Sequence, residues 1–128
     1  MEEKAFLKQY NQDEYKRPSV AVDMTVFSVL DLKPDNYRKL PEKAFSLLLI
    51  KRAEHPFKNK WALPGGFVQP NERADQAAAR ELLEETHVNG LPLEQLGLYS
   101  DPHRDPRAWV VSEAYCSLCD HQELAVQA

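Results

Sequence analysis

The sequence of 128 residues predicts a single α/β domain, and three features of the chain indicate this fold class. The segment Val20 to Leu30 has apolar residues at odd and even positions, which is typical of a central strand covered on both faces. Residues Arg73 to Thr86 contain no glycine or proline and are rich in Ala, Leu, Glu and Arg, so we expect a helix. The run Trp109 to Cys119 predicts a further strand.

Shorter segments complete the predicted sheet. Residues 1–19 are polar and are interpreted as an N-terminal arm, with the domain spanning residues 20–128. The turn chemistry of Asp31 to Glu42 predicts a loop, and Phe45 to Ile50 predicts a second apolar strand. A short strand is also expected around Leu96 to Tyr99.

A glycine turn precedes the predicted helix. Pro64-Gly65-Gly66 changes the chain direction, and Phe67-Val68 resumes a short strand. Asn71 is a plausible N-cap for the helix, and Asn89-Gly90 ends it. The two glycines therefore give the chain, directly before the helix, a backbone that can adopt positive φ and that other groups can approach closely.

The overall charge limits the classes of partner. A formal net charge of −4 disfavours nonspecific attraction to nucleic acid or to anionic lipid. An anionic substrate would need local basic groups or bound cations. No stretch approaches the roughly 18 apolar residues of a membrane span, and the start Met1-Glu2-Glu3-Lys4 is too acidic for a signal peptide. We expect a cytoplasmic chain that binds neither membrane nor, by itself, nucleic acid.

The chain has two cysteines, Cys116 and Cys119, in one C-x-x-C motif with no second pair to complete a zinc site. In a strand, two residues three positions apart point to opposite faces. We therefore interpret both as structural cysteines, with a metal or redox role as the weaker alternative.

Three glutamates share one face of the predicted helix. Glu81, Glu84 and Glu85 stand at positions i, i+3 and i+4, which are neighbours on a helix surface. An acidic helix face is usually just solvated, but such clustered carboxylates are also suitable ligands for hard cations such as Mg²⁺ or Mn²⁺. Arg80 could hold one carboxylate in a fixed rotamer through bidentate hydrogen bonding.

The spacing around this helix resembles the Nudix box, G-x5-E-x7-R-E-U-x-E-E-x-G-U with U apolar. Gly66 is followed after five residues by Glu72 and after seven more by Arg80-Glu81-Leu82-Leu83-Glu84-Glu85-Thr86-His87-Val88. Every position fits except His87, where the family has glycine. Histidine tolerates the left-handed conformation expected there better than branched residues do.

The resemblance implies a Nudix α/β/α sandwich with a mixed β-sheet and a loop-helix-loop metal site. By similarity, Glu81, Glu84 and Glu85 would bind Mg²⁺ or Mn²⁺, with the Gly66 carbonyl, or that of Gly65, as a further ligand. These glutamates and Arg80 form the expected catalytic set. Arg80 would orient Glu81, whereas Glu72 would have a structural role.

Nudix enzymes hydrolyse a nucleoside diphosphate linked to another moiety, so positive side chains are needed near the metal site. The expected substrate-binding residues, some of which could instead be ordinary surface arginines, are Arg52, Arg104, Arg107, Gly65 and Gly66. The stretch Asp101 to Ser112 resembles the D-P-R-G-x-V-V-S segment of ADP-ribose pyrophosphatases, with Ala108 replacing the glycine. This points to ADP-ribose or a related dinucleotide.

The resemblance leaves several alternatives. The chain is either an active hydrolase, or the ligand-sensing domain of a winged-helix regulator of NAD metabolism, or a silent interaction module. The general base is a box glutamate or one in a loop beyond the last predicted strand. Nudix domains usually continue into another strand and helix, so the resemblance implies either a domain truncated at its C-terminus or one in which the arm before Pro18 compensates. It also implies a homodimer.

Overall fold

The computed structural model describes residues 2–32, 42–121 and 124. A one-turn 3₁₀ helix spans Gln12–Glu14. The other elements, numbered in chain order, are α1 (Glu3–Gln9), β1 (Ser19–Leu32), β2 (Glu42–Leu47), β3 (Ile50–Lys51), β4 (Trp61–Ala62), β5 (Gly65–Phe67), α2 (Ala74–Thr86), β6 (Glu94–Tyr99) and β7 (Val110–Asp120).

The main sheet is mixed and is built around β1. Its order is β2-β1-β7-β6, and β5 pairs with β1 beside β2. Strands β1 and β7 are parallel, whereas the pairs β1–β2, β1–β5 and β6–β7 are antiparallel. The predicted α/β class, the mixed sheet and the central position of the first long strand are therefore confirmed.

The core lies between one face of β1 and helix α2. Val22, Met24 and Val26 are fully buried on that face, and Leu82 from α2 packs in the same cluster. On the opposite face of β1, Phe27 is exposed. The expectation that both faces of this strand are covered thus holds for one face only within the described residues.

The strand predicted over Phe45 to Ile50 is divided in two. Strand β2 pairs with β1 as far as Leu47 opposite Phe27, and β3 then pairs with β4 outside the main sheet. Residues 21–23 of β1 already pair with β5 along the edge that β2 follows. The chain must leave the sheet after Leu47 because this edge is occupied.

Helix α2 begins later than the sequence suggested. Arg73, not Asn71, is its N-cap, and the Gln76 side chain accepts a hydrogen bond from the Arg73 N–H at 3.0 Å. Asn71 instead has a positive φ of 63° in the turn before the helix. At the other end, His87 is left-handed with φ 62°, and its N–H donates to the Leu83 carbonyl. The conformation expected at His87 is confirmed.

The remaining sequence predictions concern the two cysteines, the N-terminal arm and the loop after β1. Cys116 and Cys119 lie on opposite faces of β7, and Cys119 is buried. Residues of α1 in the N-terminal arm are all exposed. Most of the loop predicted for Asp31 to Glu42, namely residues 33–41, lies outside the described residues. No helix in the described part of the chain is long and apolar enough to span a membrane.

Two adjacent leucines of α2 provide a matched test of this packing. Leu82 is 2% exposed and Leu83 is 42% exposed. We expect Leu82→Ala to lower the free energy of unfolding by about 2–5 kcal/mol, because it leaves a cavity in the core. Leu83→Ala should cost less than about 1 kcal/mol, since alanine favours helix and little buried contact is lost. Urea unfolding with an unchanged m-value measures both changes, and equal losses would contradict this orientation of α2.

Candidate active site

The glycine pair brings strand β5 into close contact with its neighbours. A Cβ atom at Gly65 would overlap the Val22 carbonyl oxygen and would lie 2.7 Å from Asp23 Oδ1. A Cβ atom at Gly66 would overlap the carboxyl group of Glu81. Gly65 therefore requires glycine because backbone is close, whereas a side chain at Gly66 would displace the Glu81 carboxylate of α2.

The strand register determines where the backbone groups of Gly65 point. The Met24 N–H donates to the Pro64 carbonyl, and the Val68 N–H donates to the Val20 carbonyl, both at 2.9 Å. These bonds occur at every second residue of an antiparallel pair, so Gly65, opposite Asp23, occupies a non-hydrogen-bonded position. Its N–H and carbonyl both point away from β1. The N–H accordingly donates to Glu85 Oε1 at 3.1 Å.

Arg80 connects the loop before α2 to the carboxylates on α2. Its Nε donates to Glu72 Oε2 at 2.7 Å, and its Nη2 donates to Glu72 Oε1 at 3.0 Å and to the Phe67 carbonyl at 3.1 Å. Its Nη1 donates to Glu81 Oε1 at 2.7 Å and to Glu84 Oε2 at 3.3 Å. Hydrogen bonds from Arg80 hold the pKa of Glu72 below its usual value, and those to Glu72 and Glu81 raise the pKa of Arg80.

Glu81 and Glu85 form a close pair of partly buried acids. Burial raises the pKa of Glu85 to about 7, and the neighbouring Glu81 carboxylate adds to the rise. The Gly65 N–H and the charge of Arg52 act in the opposite direction. Glu81 is also paired with Arg80 at 2.7 Å, and the oxygen donors of both acids have the chemistry that a hard divalent cation requires.

The third predicted ligand is placed differently. The Glu84 side chain is 58% exposed and accepts a hydrogen bond from Arg80. Within the described residues, no three or more His, Cys, Asp or Glu side chains are grouped so that they could hold a metal ion. The carboxylates of Glu81 and Glu85 are neighbours, whereas that of Glu84 is exposed and is bonded to Arg80.

A cavity of about 640 Å³ lies beside this pair and brings the predicted substrate residues together. Glu85 stands at its wall, and the lining includes all five of the predicted substrate-binding residues, namely Arg52, Gly65, Gly66, Arg104 and Arg107. Residues distant in sequence therefore meet in one space next to the carboxylates. Glu81, Glu84, Arg80 and Glu72 lie outside its lining.

The three arginines differ in how their charge is balanced. Arg107 forms an ion pair with Asp105 at 2.7 Å and lies over the ring of Phe67, 5.0 Å from its centre. Its hydrogen bonds to Asp105 lower the pKa of that carboxyl to about 2. Arg104 lies 3.9 Å from Asp23. Arg52 Nε donates to the neutral Pro56 carbonyl at 2.6 Å, so its charge is the most available for an anion.

Among the cavity residues that were not identified from the sequence are Asp23 and Phe57. Asp23 accepts a short hydrogen bond from the buried Ser112 hydroxyl, and it also contacts Gly65 and faces Arg104. A carboxylate within an otherwise apolar strand was the signal for it. Phe57, in the connection between β3 and β4, lines the cavity as well. Its neighbours in sequence are polar, so nothing in the pattern distinguished it.

The fold and this geometry define a class of α/β protein in which a glycine loop, a carboxylate-bearing helix and an arginine-lined cavity lie side by side. A family model described as NUDIX domain matches residues 25–125. The chain belongs to the Nudix family.

Known proteins similar to this chain include regulators and enzymes. An ADPR responsive transcriptional repressor of Acinetobacter baylyi is 38% identical over 118 residues, which are 91% of this chain and 43% of that protein. An ADP-ribose pyrophosphatase of Methanocaldococcus jannaschii is 42% identical over 106 residues, which are 83% of this chain and 53% of that protein. The chain thus spans about half the length of these curated relatives.

A similar solved structure is the NUDIX domain of Shewanella oneidensis NrtR complexed with ADP ribose. Its TM-score is 0.80 at 31% sequence identity, and the match covers 99% of this chain and 75% of that one.

Substitutions of three glycines test the close contacts. Gly65→Ala should lower the free energy of unfolding by about 1–3 kcal/mol, because the Val22 backbone cannot move away. Gly66→Ala should lower the free energy of unfolding by less than Gly65→Ala does, since the Glu81 carboxyl group can rotate. Gly97→Ala is the control, because a Cβ atom there meets open space, and its stability should be unchanged or slightly raised. Thermal unfolding ranks the three, and a neutral Gly65→Ala would contradict the placement of β5 against β1.

Proposed function

We propose that this chain is a pyrophosphohydrolase that uses Mg²⁺ or Mn²⁺ to cleave ADP-ribose or a related dinucleotide. Water would add to one phosphorus as the bridging P–O bond breaks, so ADP-ribose would give AMP and ribose 5-phosphate. The observation that carries this proposal is the cavity in which Glu85 and the Gly65-Gly66 loop meet Arg52, Arg104 and Arg107. Similarity to an ADP-ribose pyrophosphatase supports the choice of substrate.

Glu81 and Glu85 are the proposed primary cation ligands, and Glu84 would join them after a change of rotamer. The proposed backbone ligand is the carbonyl of Gly65 rather than that of Gly66. Gly66 faces Val22 in the ladder, whereas the polar groups of Gly65 point away from β1 on the side of Glu85. When bound, the cation would neutralise charge on phosphate oxygens and make water a stronger nucleophile.

Other side chains of the site would bind the phosphate groups or hold the cation ligands in position. Arg52 would bind phosphate oxygens, since no carboxylate in the described part of the chain forms an ion pair with it. Arg104 would add a second cation near Asp23, and Arg107 a third whose charge Asp105 partly neutralises. Arg80 would hold Glu81 in position, and Glu72 would hold Arg80. These fixed groups need no reorganisation as charge develops during the reaction.

A second candidate is a domain that binds an ADP-ribose-like metabolite without cleaving it, as part of a longer regulator. This alternative is supported by the similarity to a transcriptional repressor and to a domain complexed with ADP ribose. It uses the same cavity and arginines, so only turnover distinguishes the two. The cytoplasmic location and the lack of membrane or nucleic-acid binding by this chain remain predictions.

The hydrolase proposal is tested with ADP-ribose and Mg²⁺, with products identified by mass spectrometry. We expect AMP and ribose 5-phosphate from the wild-type chain. Glu85→Gln should lower the rate at least about 100-fold, because a cation ligand contributes several kcal/mol to the transition state. Glu14→Gln, an exposed change in the N-terminal arm, is the control and should leave the rate unchanged.

The possible outcomes separate the two candidates. Unchanged turnover in Glu85→Gln would overturn the assignment of the site. Binding of ADP-ribose by the wild-type chain without any product, at saturating Mg²⁺ or Mn²⁺, would favour the sensing domain instead. A panel of other nucleoside diphosphates in the same assay would then establish whether a different leaving group is cleaved.

We also propose that the chain forms a homodimer through the exposed face of the main sheet. Apolar side chains cluster there around a second cavity of about 650 Å³, and those that line it include Phe27, Phe45, Leu96, Cys116 and Leu118. All of these except Cys116 are exposed large hydrophobic residues. Contiguous apolar patches of this kind mark association surfaces, and a two-fold axis would bury the same patch on both copies.

Light scattering after size-exclusion chromatography tests the dimer. We expect a mass of twice the 14.7 kDa of the chain at micromolar concentration. Leu118→Asp should shift the protein to the monomer, because it places a charge within the patch. Leu7→Asp is the matched control, since Leu7 and Leu118 are both 63% exposed. A wild-type protein that remains monomeric at high concentration would refute the proposal.

A further inference from the structure

Phe57 has two features that do not favour the stability of the fold in the absence of a ligand. It has a positive φ of 61°, a conformation that bulky residues rarely adopt. It is also 63% exposed, so its ring gains little from burial. Asparagine or glycine would fit this backbone with less strain. The stability of the fold therefore does not explain a phenylalanine here.

The turn that carries Phe57 is held firmly in place. The Lys60 N–H donates to the Phe57 carbonyl at 3.0 Å, and the Asn59 N–H donates to the Arg52 carbonyl at 2.8 Å. The Arg52 N–H donates in turn to the Lys60 carbonyl at 2.9 Å, and Arg52 Nε donates to Pro56 at 2.6 Å. Four hydrogen bonds thus fix an exposed aromatic residue at the wall of the cavity. Strained residues that their surroundings hold in this way cluster at ligand sites.

The cavity also brings together the groups that a nucleotide would contact. Glu85, Arg52 and Phe57 all line it. The Arg52 side chain reaches the carbonyl of Pro56, the residue next to Phe57. Carboxylate, cation and aromatic ring are therefore present in one space. A nucleotide has matching groups, because its phosphate would pair with the cation and its base would stack on the ring.

A second phenylalanine of the cavity lining is already engaged. The guanidinium of Arg107 lies over the ring of Phe67, 5.0 Å from its centre. Phe57 is the more exposed of the two rings. We propose that Phe57 is a stacking platform for the base of the bound nucleotide, and that it makes the cavity selective for ligands that carry an aromatic base.

This inference rests on the proposed nucleoside diphosphate site, and it is tested by comparing ligands with and without a base. Calorimetry would measure the Kd of AMP and of ribose 5-phosphate, each with Mg²⁺, for the wild-type chain, Phe57→Asn and Phe57→Trp. Phe57→Asn should weaken AMP binding about 5- to 150-fold, the range expected for one lost stacking contact. Its ribose 5-phosphate binding should change less than about twofold, because no base is present.

Three controls exclude a loss of fold. Phe57→Asn should have an unchanged or higher thermal midpoint, since asparagine tolerates positive φ. Phe57→Trp should retain AMP binding, because it restores a ring. Phe6→Asn, which removes an exposed phenylalanine from α1, should bind both ligands as the wild type does. Equal loss of both ligands in Phe57→Asn, or unchanged AMP binding, would overturn the inference.

The test separates this inference from the proposed function. If the wild-type chain cleaves ADP-ribose while Phe57→Asn binds AMP normally, only the stacking role of Phe57 is wrong. If no nucleoside diphosphate is cleaved but Phe57→Asn loses AMP selectively, the stacking role stands and the hydrolase proposal fails. A wild-type chain that binds no nucleotide would overturn the stacking role directly.

Discussion

The hydrogen bonds of Arg80 are the interaction on which the rest of the site depends. One guanidinium contacts Glu72 before the helix, the Phe67 carbonyl at the end of β5, and Glu81 on the helix itself. It therefore fixes the glycine loop, the turn and the helix relative to one another. Without it, the glycine loop would still pair with β1, but nothing else among these contacts would hold the Glu81 carboxyl group against Gly66. A charge-assisted network of this kind orients the carboxylates before any ligand arrives.

The sheet supplies the second constraint. Strands β2 and β5 share one edge of β1, so the chain between them must leave the sheet, and it does so as the β3–β4 hairpin. This hairpin brings Arg52 and Phe57 to the cavity, and the loop before β7 brings Arg104 and Arg107 to the same cavity. The arrangement of positive charge around Glu85 is thus a consequence of strand order, and an acidic chain can present a locally basic cavity.

Much of the fold and part of the site could be predicted from the sequence. The apolar runs indicated β1 and β7, and the spacing from Gly66 to Glu85 indicated the helix and its acids. The break after Leu47 could not be predicted, because it depends on β5 occupying the same edge of β1. The roles of Asp23 and Phe57 could not be assigned either, since both depend on contacts between segments distant in sequence. The start of α2 was misplaced because Asn71 forms a turn instead of a cap.

The central claim is that Glu81 and Glu85 together hold a divalent cation beside the cavity. Calorimetric titration of Mn²⁺ into the wild-type chain and into Glu81→Gln tests it most directly, because it needs neither substrate nor turnover. We expect saturable binding by the wild-type chain at millimolar Mn²⁺ or below, with affinity lowered at least about tenfold in the variant. Identical isotherms for the two proteins, or no binding by the wild-type chain at millimolar Mn²⁺, would contradict it.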